Sequence, residues 1–164
     1  MRARLFLALL LSSSAASLQA AELTVRFSGR FQPGTCEIAV DDVDVGTFEA
    51  PSFDAINVTP SVPFEIRRSR CASELLTLHI SLTGAADASS ADYFAIPDSG
   101  GVSGLAVRIT DITNRVVRPN QPGGNWFTGG SDAGTYPLRA ALVKVGTVSA
   151  GTIRTPITVQ VTYN

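Results

Sequence analysis

The sequence predicts an all-β protein built as an antiparallel sandwich of short strands. Three segments alternate apolar and polar residues with the period of two that a half-buried strand requires. Clusters of Gly, Pro, Asn, Asp and Ser separate these segments and supply turn conformations. No segment sustains a helical period, so we do not expect a parallel sheet with crossover helices.

The three alternating segments lie in the middle and at the end of the chain. Their apolar positions are Leu76, Leu78, Ile80 and Leu82, then Leu105, Val107 and Ile109, and finally Ile157, Val159, Val161 and Tyr163. Mostly polar residues fill the intervening positions, so each predicted strand has one buried face and one wet face. Further strands are predicted over residues 37–45, 62–66, 93–96 and 138–145. Residues 119–130 are rich in Gly and Pro, which predicts a long surface loop.

The first 20 residues are typical of a secretory signal peptide. A basic start at Arg2 and Arg4 precedes the apolar run 5–11, which is far shorter than the ~20 residues of a membrane span. Small, weakly polar residues follow, and cleavage is predicted after Ala20, with Ser17 and Ala21 as further candidates. The remaining 144 residues (164 minus 20) suit one domain with one core.

Cys36 and Cys71 are the two cysteines of a chain that is predicted to leave the cytoplasm. In an oxidising compartment the default for such a pair is one structural disulfide. A metal or redox pair is the alternative, but the two cysteines are far apart in sequence and the chain has one histidine.

The charge balance argues against a nucleic-acid partner. Without residues 1–20, 11 basic residues face 14 acidic ones, which gives a formal net charge of -3. The basic residues are scattered apart from Arg67, Arg68 and Arg70, which we expect to be a solvated strand end. Phosphate binding would require a concentrated basic footprint.

The sequence also argues against an enzyme, a metal site or a cofactor. His79 is the sole histidine and lies on the predicted wet face of its strand. Asp41, Asp42 and Asp44 do not have the spacing of an EF-hand loop, so a solvated turn is expected there. No nucleophile elbow or phosphate-binding glycine loop occurs in the sequence.

The segment before the first cysteine alternates as a strand does. Leu23, Val25, Phe27, Gly29 and Phe31 lie on one face of it. An ordinary first strand would look similar. The glycine on the apolar face favours a site where another surface comes close, because glycine weakens an ordinary strand interior.

Several motifs together resemble the type 1 and P pilus subunit family. They are the segment 27–31 followed by Cys36, the second cysteine 35 residues later, and the run Gly-Thr-Val-Ser-Ala-Gly-Thr-Ile at 146–153. The alternating C-terminal strand and a tyrosine one residue from the end complete the likeness. The likeness spans nearly the whole chain after residue 20, although residues 85–137 share only the short-strand character.

This resemblance implies an incomplete immunoglobulin-like β-sandwich that lacks its last strand and is completed by a donor strand from another subunit. It implies a signal peptide at 1–20, a donor-strand extension at 21–34 and a pilin domain at 35–164. The implied donor face is Leu23, Val25, Phe27, Gly29 and Phe31. The implied acceptor groove lies along Ile157, Val159, Val161 and Tyr163.

The resemblance also implies the partners and the location. A periplasmic pilus chaperone would first fill the groove, holding the carboxylate of Asn164 with basic residues. The strand of the next pilin subunit would replace it at an outer-membrane usher. The product would be a fimbria on the cell surface that supports adhesion.

Two other functions stay open. The first is a small carbohydrate-binding adhesin whose contacts would be Trp126, Phe127 and Tyr136 near the predicted loop. Trp126 could instead cover the edge of the core. The second is a self-contained secreted binding module.

Overall fold

The computed structural model describes residues 35–97, 102–127 and 130–163, with the backbone alone described at 125–127. The described residues form eight strands in two antiparallel sheets, and no helix among them is long and apolar enough to cross a membrane. The strands are β1 (Glu37–Val40), β2 (Val62–Ser69), β3 (Thr77–Thr83), β4 (Phe94–Ala95), β5 (Leu105–Asp111), β6 (Asn125–Phe127), β7 (Gly134–Lys144) and β8 (Thr158–Tyr163). A short 3-10 helix, Ala50–Asp54, lies between β1 and β2.

The larger sheet has the order β1-β2-β7-β5-β4, and the smaller one has the order β6-β3-β8. Apolar side chains from both sheets meet between them, which is the arrangement of an immunoglobulin-like sandwich. Each central strand contributes its alternate residues to this core: Ile66 from β2, Leu78, Ile80 and Leu82 from β3, Leu105, Val107 and Ile109 from β5, and Leu138 and Leu142 from β7. The predicted all-β sandwich is therefore confirmed.

The cysteine prediction is confirmed as well. Cys36, just before β1, and Cys71, just after β2, form a disulfide across 35 residues. The bond joins the start of the four-residue strand β1 to the end of β2, the eight-residue strand beside it.

Some strand bounds differ from the predictions. The first strand ends at Val40 rather than at residue 45, because aspartates follow and are poor strand formers. There the Asp44 side chain accepts a hydrogen bond from the Gly46 amide (2.9 Å), which forms a local turn. Pro51 at the start of the 3-10 helix and the buried Phe53 form an element that the strand pattern did not predict.

Two predicted strands differ in the way they are buried. Leu76 lies just outside β3 and is 61% exposed, so it is not part of the core. In β5 the predicted wet face was wrong, because Ala106 and Thr110 are buried. Thr110 forms a bridge with Val116, so the chain returning after β5 covers that end of the strand.

Arg68 corrects the prediction of a solvated basic strand end. Its side chain is buried, and its Nη1 donates to the carbonyl oxygen of Ser131 at 2.5 Å. Arg67 and Arg70 are exposed as predicted and pair with Asp41 and Glu37, respectively. His79 was expected to be exposed but is half-buried.

The turn after β5 predicts a pH-dependent stability. The Asp111 carboxylate accepts hydrogen bonds from the Thr113 amide (2.8 Å), the Thr113 hydroxyl (2.6 Å) and the Arg115 amide (3.0 Å). Burial alone would raise the pKa of this carboxyl, but the hydrogen bonds from Thr113 and Arg115 and the charge of Arg115 lower it. A carboxyl whose pKa is lowered by folding stabilises the fold above its unfolded pKa and loses that contribution as the pH falls through the folded value.

We therefore expect Asp111→Asn to lower the free energy of unfolding at neutral pH and to have progressively less effect below about pH 4. Chemical denaturation of both chains across this range measures the difference. Asp44→Asn is a matched control, since Asp44 also caps a turn but is exposed. A difference between wild type and Asp111→Asn that does not change with pH would contradict this account.

Candidate functional site

The edge of the smaller sheet at β8 is the place where the resemblance to pilus subunits implied a groove. On one side β8 pairs antiparallel with β3, from Leu78↔Tyr163 to Thr83↔Thr158. Within the part of the chain that the structure describes, no strand pairs with its other side. An unpaired strand edge carries a row of N–H and C=O groups that another strand can bind.

The register of β3 shows which backbone groups point to this edge. The Ile80 amide and the Leu82 carbonyl bond to Gly124 and Asn120, on the side of β3 away from β8. In an antiparallel ladder directly opposed residues point their backbone groups either toward each other or both away. Val161 opposes Ile80 and Val159 opposes Leu82, so the backbone groups of Val159 and Val161 point to the open edge.

The same residues of β8 carry the apolar side chains. Ile157, Val159, Val161 and Tyr163 pack against the core but stay partly exposed. Their neighbours on β3 in the same layer, Leu78, Ile80 and Leu82, are exposed by 3% or less. The apolar layer is therefore closed over β3 and open over β8, and an added strand would cover it.

The edge strand of the larger sheet provides the other wall. Cys36 and Ile38 face the core and are partly buried, and Val40 on the same face is 43% exposed. The Tyr163 hydroxyl lies 3.4 Å from the Cys36 carbonyl oxygen, a long hydrogen bond that joins the end of β8 to the start of β1. The two edges therefore lie on one side of the sandwich, and we call the space between them the β1/β8 groove.

A charged pair lies beside β1 on the exposed outer face of the larger sheet. Asp41 forms a bidentate pair with Arg67, with distances of 2.7 and 2.8 Å. Hydrogen bonds and charge from Arg67 lower the pKa of the Asp41 carboxyl, and the same pairing raises the pKa of Arg67. Both groups are solvent-accessible, so this pair contributes little to stability.

The structure places only part of the predicted site. Of the four predicted residues of the C-terminal strand, Val159, Val161 and Tyr163 lie on β8, and Ile157 immediately precedes it. The predicted donor residues Leu23, Val25, Phe27, Gly29 and Phe31, the signal peptide and the predicted chaperone anchor Asn164 lie outside the described residues. Their roles therefore stay predictions.

The predicted loop over residues 119–130 is partly wrong. Asn125–Phe127 forms β6 and pairs with β3 at Thr77–His79. Tyr136, which the adhesin hypothesis placed in contact with ligand, packs against the core, and burial together with the negative charge of Asp111 raises the pKa of its hydroxyl. No group of three or more potential metal ligands occurs among the described residues.

A second feature at this sheet was missed from the sequence. Asn120 bonds to Gly84 and Leu82 at the edge of β3 that β8 does not cover. A single asparagine between Pro119 and Pro122 carries no periodic signal, so its contact could be found only in three dimensions.

The described residues thus form a β-sandwich in which strand β8 is unpaired on one side and carries half-buried apolar side chains. The family described as fimbrial protein matches residues 25–164, and the chain belongs to that family.

Individual relatives are distant. The chain is 25% identical over 108 residues to the S-fimbrial protein subunit SfaG of Escherichia coli O6:K15:H31, and 27% identical over 118 residues to the probable major fimbrial subunit LpfA of Escherichia coli O157:H7. These matches cover 63% and 68% of this chain and span 62% and 66% of the relatives' length. The S-fimbrial adhesin SfaS is 26% identical over 156 residues, 94% of this chain and 93% of the relative.

Solved structures share the fold. The P pilus rod subunit PapA superposes with a TM-score of 0.68 at 18% identity, over 79% of this chain and 99% of PapA. A chaperone-usher pilus structure superposes with a TM-score of 0.66 at 17% identity, over 92% of this chain and all of the other. The predicted resemblance to pilus subunits is thus confirmed at the level of family and fold.

Proposed function

We propose that this chain is a structural subunit of a surface fimbria that polymerises by donor-strand exchange. The observation that carries the proposal is the β1/β8 groove, where the open backbone edge and the half-exposed apolar residues of β8 coincide. An added strand would form hydrogen bonds with the open backbone edge and would cover the apolar side chains of β8. In this kind of recognition the main-chain hydrogen bonds provide affinity and the side-chain pockets provide specificity. The names of the matched relatives, fimbrial subunits and a pilus rod subunit, support this role.

The strand to be added is residues 21–34 of another copy or of a related pilin. Leu23, Val25, Phe27, Gly29 and Phe31 supply an apolar face with the period of two that matches β8. Before assembly, a periplasmic chaperone would occupy the groove and hold the carboxylate of Asn164, and an outer-membrane usher would catalyse the exchange. Residues 1–20 would direct export, so that the finished fimbria lies on the cell surface and supports adhesion.

The test is periplasmic co-expression with the neighbouring chaperone, comparing the full chain with one that lacks residues 22–31. We expect both chains to form a one-to-one complex with the chaperone and only the full chain to form polymers. A stable monomer that needs no chaperone and forms no polymer would overturn the proposal and favour a self-contained binding module.

The second candidate is a small adhesin. It is favoured by the match to the relative named S-fimbrial adhesin protein SfaS, which extends over 94% of this chain and 93% of that relative. A glycan panel tests it: specific binding that is lost in Trp126→Ala and kept in Leu76→Ala would support an adhesive role. Leu76 is an exposed control that immediately precedes β3.

A further inference from the structure

The edge of β3 opposite β8 is covered partly by a short strand and partly by irregular chain. Strand β6 pairs only with Thr77–His79, at the beginning of β3. Beyond that point irregular chain takes over: the Gly124 carbonyl accepts from the Ile80 amide (3.2 Å), and the Asn120 amide donates to the Leu82 carbonyl (2.9 Å). Segment 120–127 therefore follows β3 along its length.

The side chain of Asn120 makes the two hydrogen bonds that the backbone of a paired strand residue would make. Its Nδ2 donates to the Gly84 carbonyl at 2.8 Å, and its Oδ1 accepts from the Gly84 amide at 3.2 Å. One carboxamide thus satisfies both backbone groups of the residue that follows β3. Asn120 adopts a φ of 58°, a left-handed conformation that asparagine tolerates better than most residues.

The two glycines of this segment allow its close approach. A Cβ on Gly123 would lie 1.8 Å from the Ile80 carbonyl oxygen, and one on Gly124 would lie 2.2 Å from the Tyr136 hydroxyl. A side chain at Gly123 would clash with the backbone of β3, and one at Gly124 would require the Tyr136 side chain to move. Pro119 is buried, which anchors the segment where it reaches β3.

We propose that residues 119–127 are an edge cap that prevents β3 from accepting a strand, so that a second copy of this chain adds only at β8. Without these contacts the backbone groups of Ile80, Leu82 and Gly84 would lie on an uncovered edge, and an uncapped edge is a site for non-native pairing. The excluded occupant is the alternating segment 22–31 of a second copy. The claim that a second copy adds only at β8 rests on the proposed function, whereas the edge cap itself rests on the contacts of Asn120.

The test compares Asn120→Ala and Asn120→Gly with Asn114→Ala in the full chain, purified with its chaperone. Asn114 is exposed and has the same left-handed backbone (φ 63°), but it lies in the turn after β5. Asn114→Ala therefore controls for backbone strain, and Asn120→Gly removes the carboxamide without that strain. Hydrogen exchange at the Gly84 and Ile80 amides reports the cap, and native mass spectrometry with a synthetic peptide of residues 22–31 reports strand addition.

We expect both Asn120 variants to exchange the Gly84 amide at least about tenfold faster and to bind one more peptide than wild type, while Asn114→Ala behaves as wild type. Unchanged exchange at Gly84 would overturn the cap. Faster exchange without additional peptide would overturn its role in excluding a strand. Failure of the proposed function is a separate outcome, because wild type would then bind no peptide at all.

Discussion

Replacing both Cys36 and Cys71 with serine is expected to lower the free energy of unfolding by about 4 kcal/mol. The disulfide closes a loop of 35 residues, and removing it restores that chain entropy to the unfolded state. A domain of this size is stable by about 5–15 kcal/mol, so the loss is a large fraction of the total. The measurement is urea denaturation of the oxidised chain and of the double variant.

The same substitution should also loosen one wall of the groove. Strand β1 has four residues, and among the described strands it pairs with β2 alone. The disulfide is the covalent cross-link that ties the start of β1, at Cys36, to the end of β2, at Cys71. Reductant provides the control: it should bring the wild-type chain to the stability of the double variant and leave the double variant unchanged. A decrease in the free energy of unfolding of less than about 1 kcal/mol would contradict this prediction and would mean that the pairing of β1 with β2 holds this wall in place without the disulfide.

Val161→Asp is expected to abolish strand addition. Val161 points its side chain toward the core and its backbone toward the open edge, so a donor strand would enclose an aspartate there. Burying an unpaired carboxylate costs several kcal/mol, which corresponds to a loss of at least about a hundredfold in affinity. Polymer yield and peptide affinity are the quantities to measure.

Gln160→Asp is the matched control, because it adds the same charge one residue away on the exposed face of β8. We expect it to polymerise within a few-fold of wild type. Thermal unfolding of each variant separates a groove effect from misfolding. Polymerisation of Val161→Asp at the wild-type level would remove β8 from the proposed mechanism.

The strand that borders the groove could be predicted from the sequence because its signal is local. The alternation of Ile157, Val159, Val161 and Tyr163 with polar residues specifies a strand with one apolar face, and β8 has that form. The half-exposure of that face could not be predicted from alternation, since it depends on the strand order β6-β3-β8. The resemblance to pilus subunits supplied that part.

Other features depend on contacts between distant segments. Arg68 is buried because the carbonyl of Ser131, 63 residues away, accepts its hydrogen bond. The pairing of Asn125–Phe127 with β3 also joins segments that are far apart in sequence. The Gly- and Pro-rich stretch around β6 has no alternating pattern from which a strand could be predicted. Thr110 looks like a wet-face residue in the sequence, but the chain after β5 covers it, and Ala106 on the same face is also buried.

Hydrogen exchange of the β8 amides is the most direct test of strand addition. We expect the Val159, Val161 and Tyr163 amides to be protected in the polymer and to exchange freely in the chain that lacks residues 22–31 once that chain has been released from its chaperone. The Thr158, Gln160 and Thr162 amides face β3 and should be protected in both, which makes them internal controls. Equal protection of Val159 and Val161 in polymer and truncated chain would contradict the claim that this edge receives the donor strand.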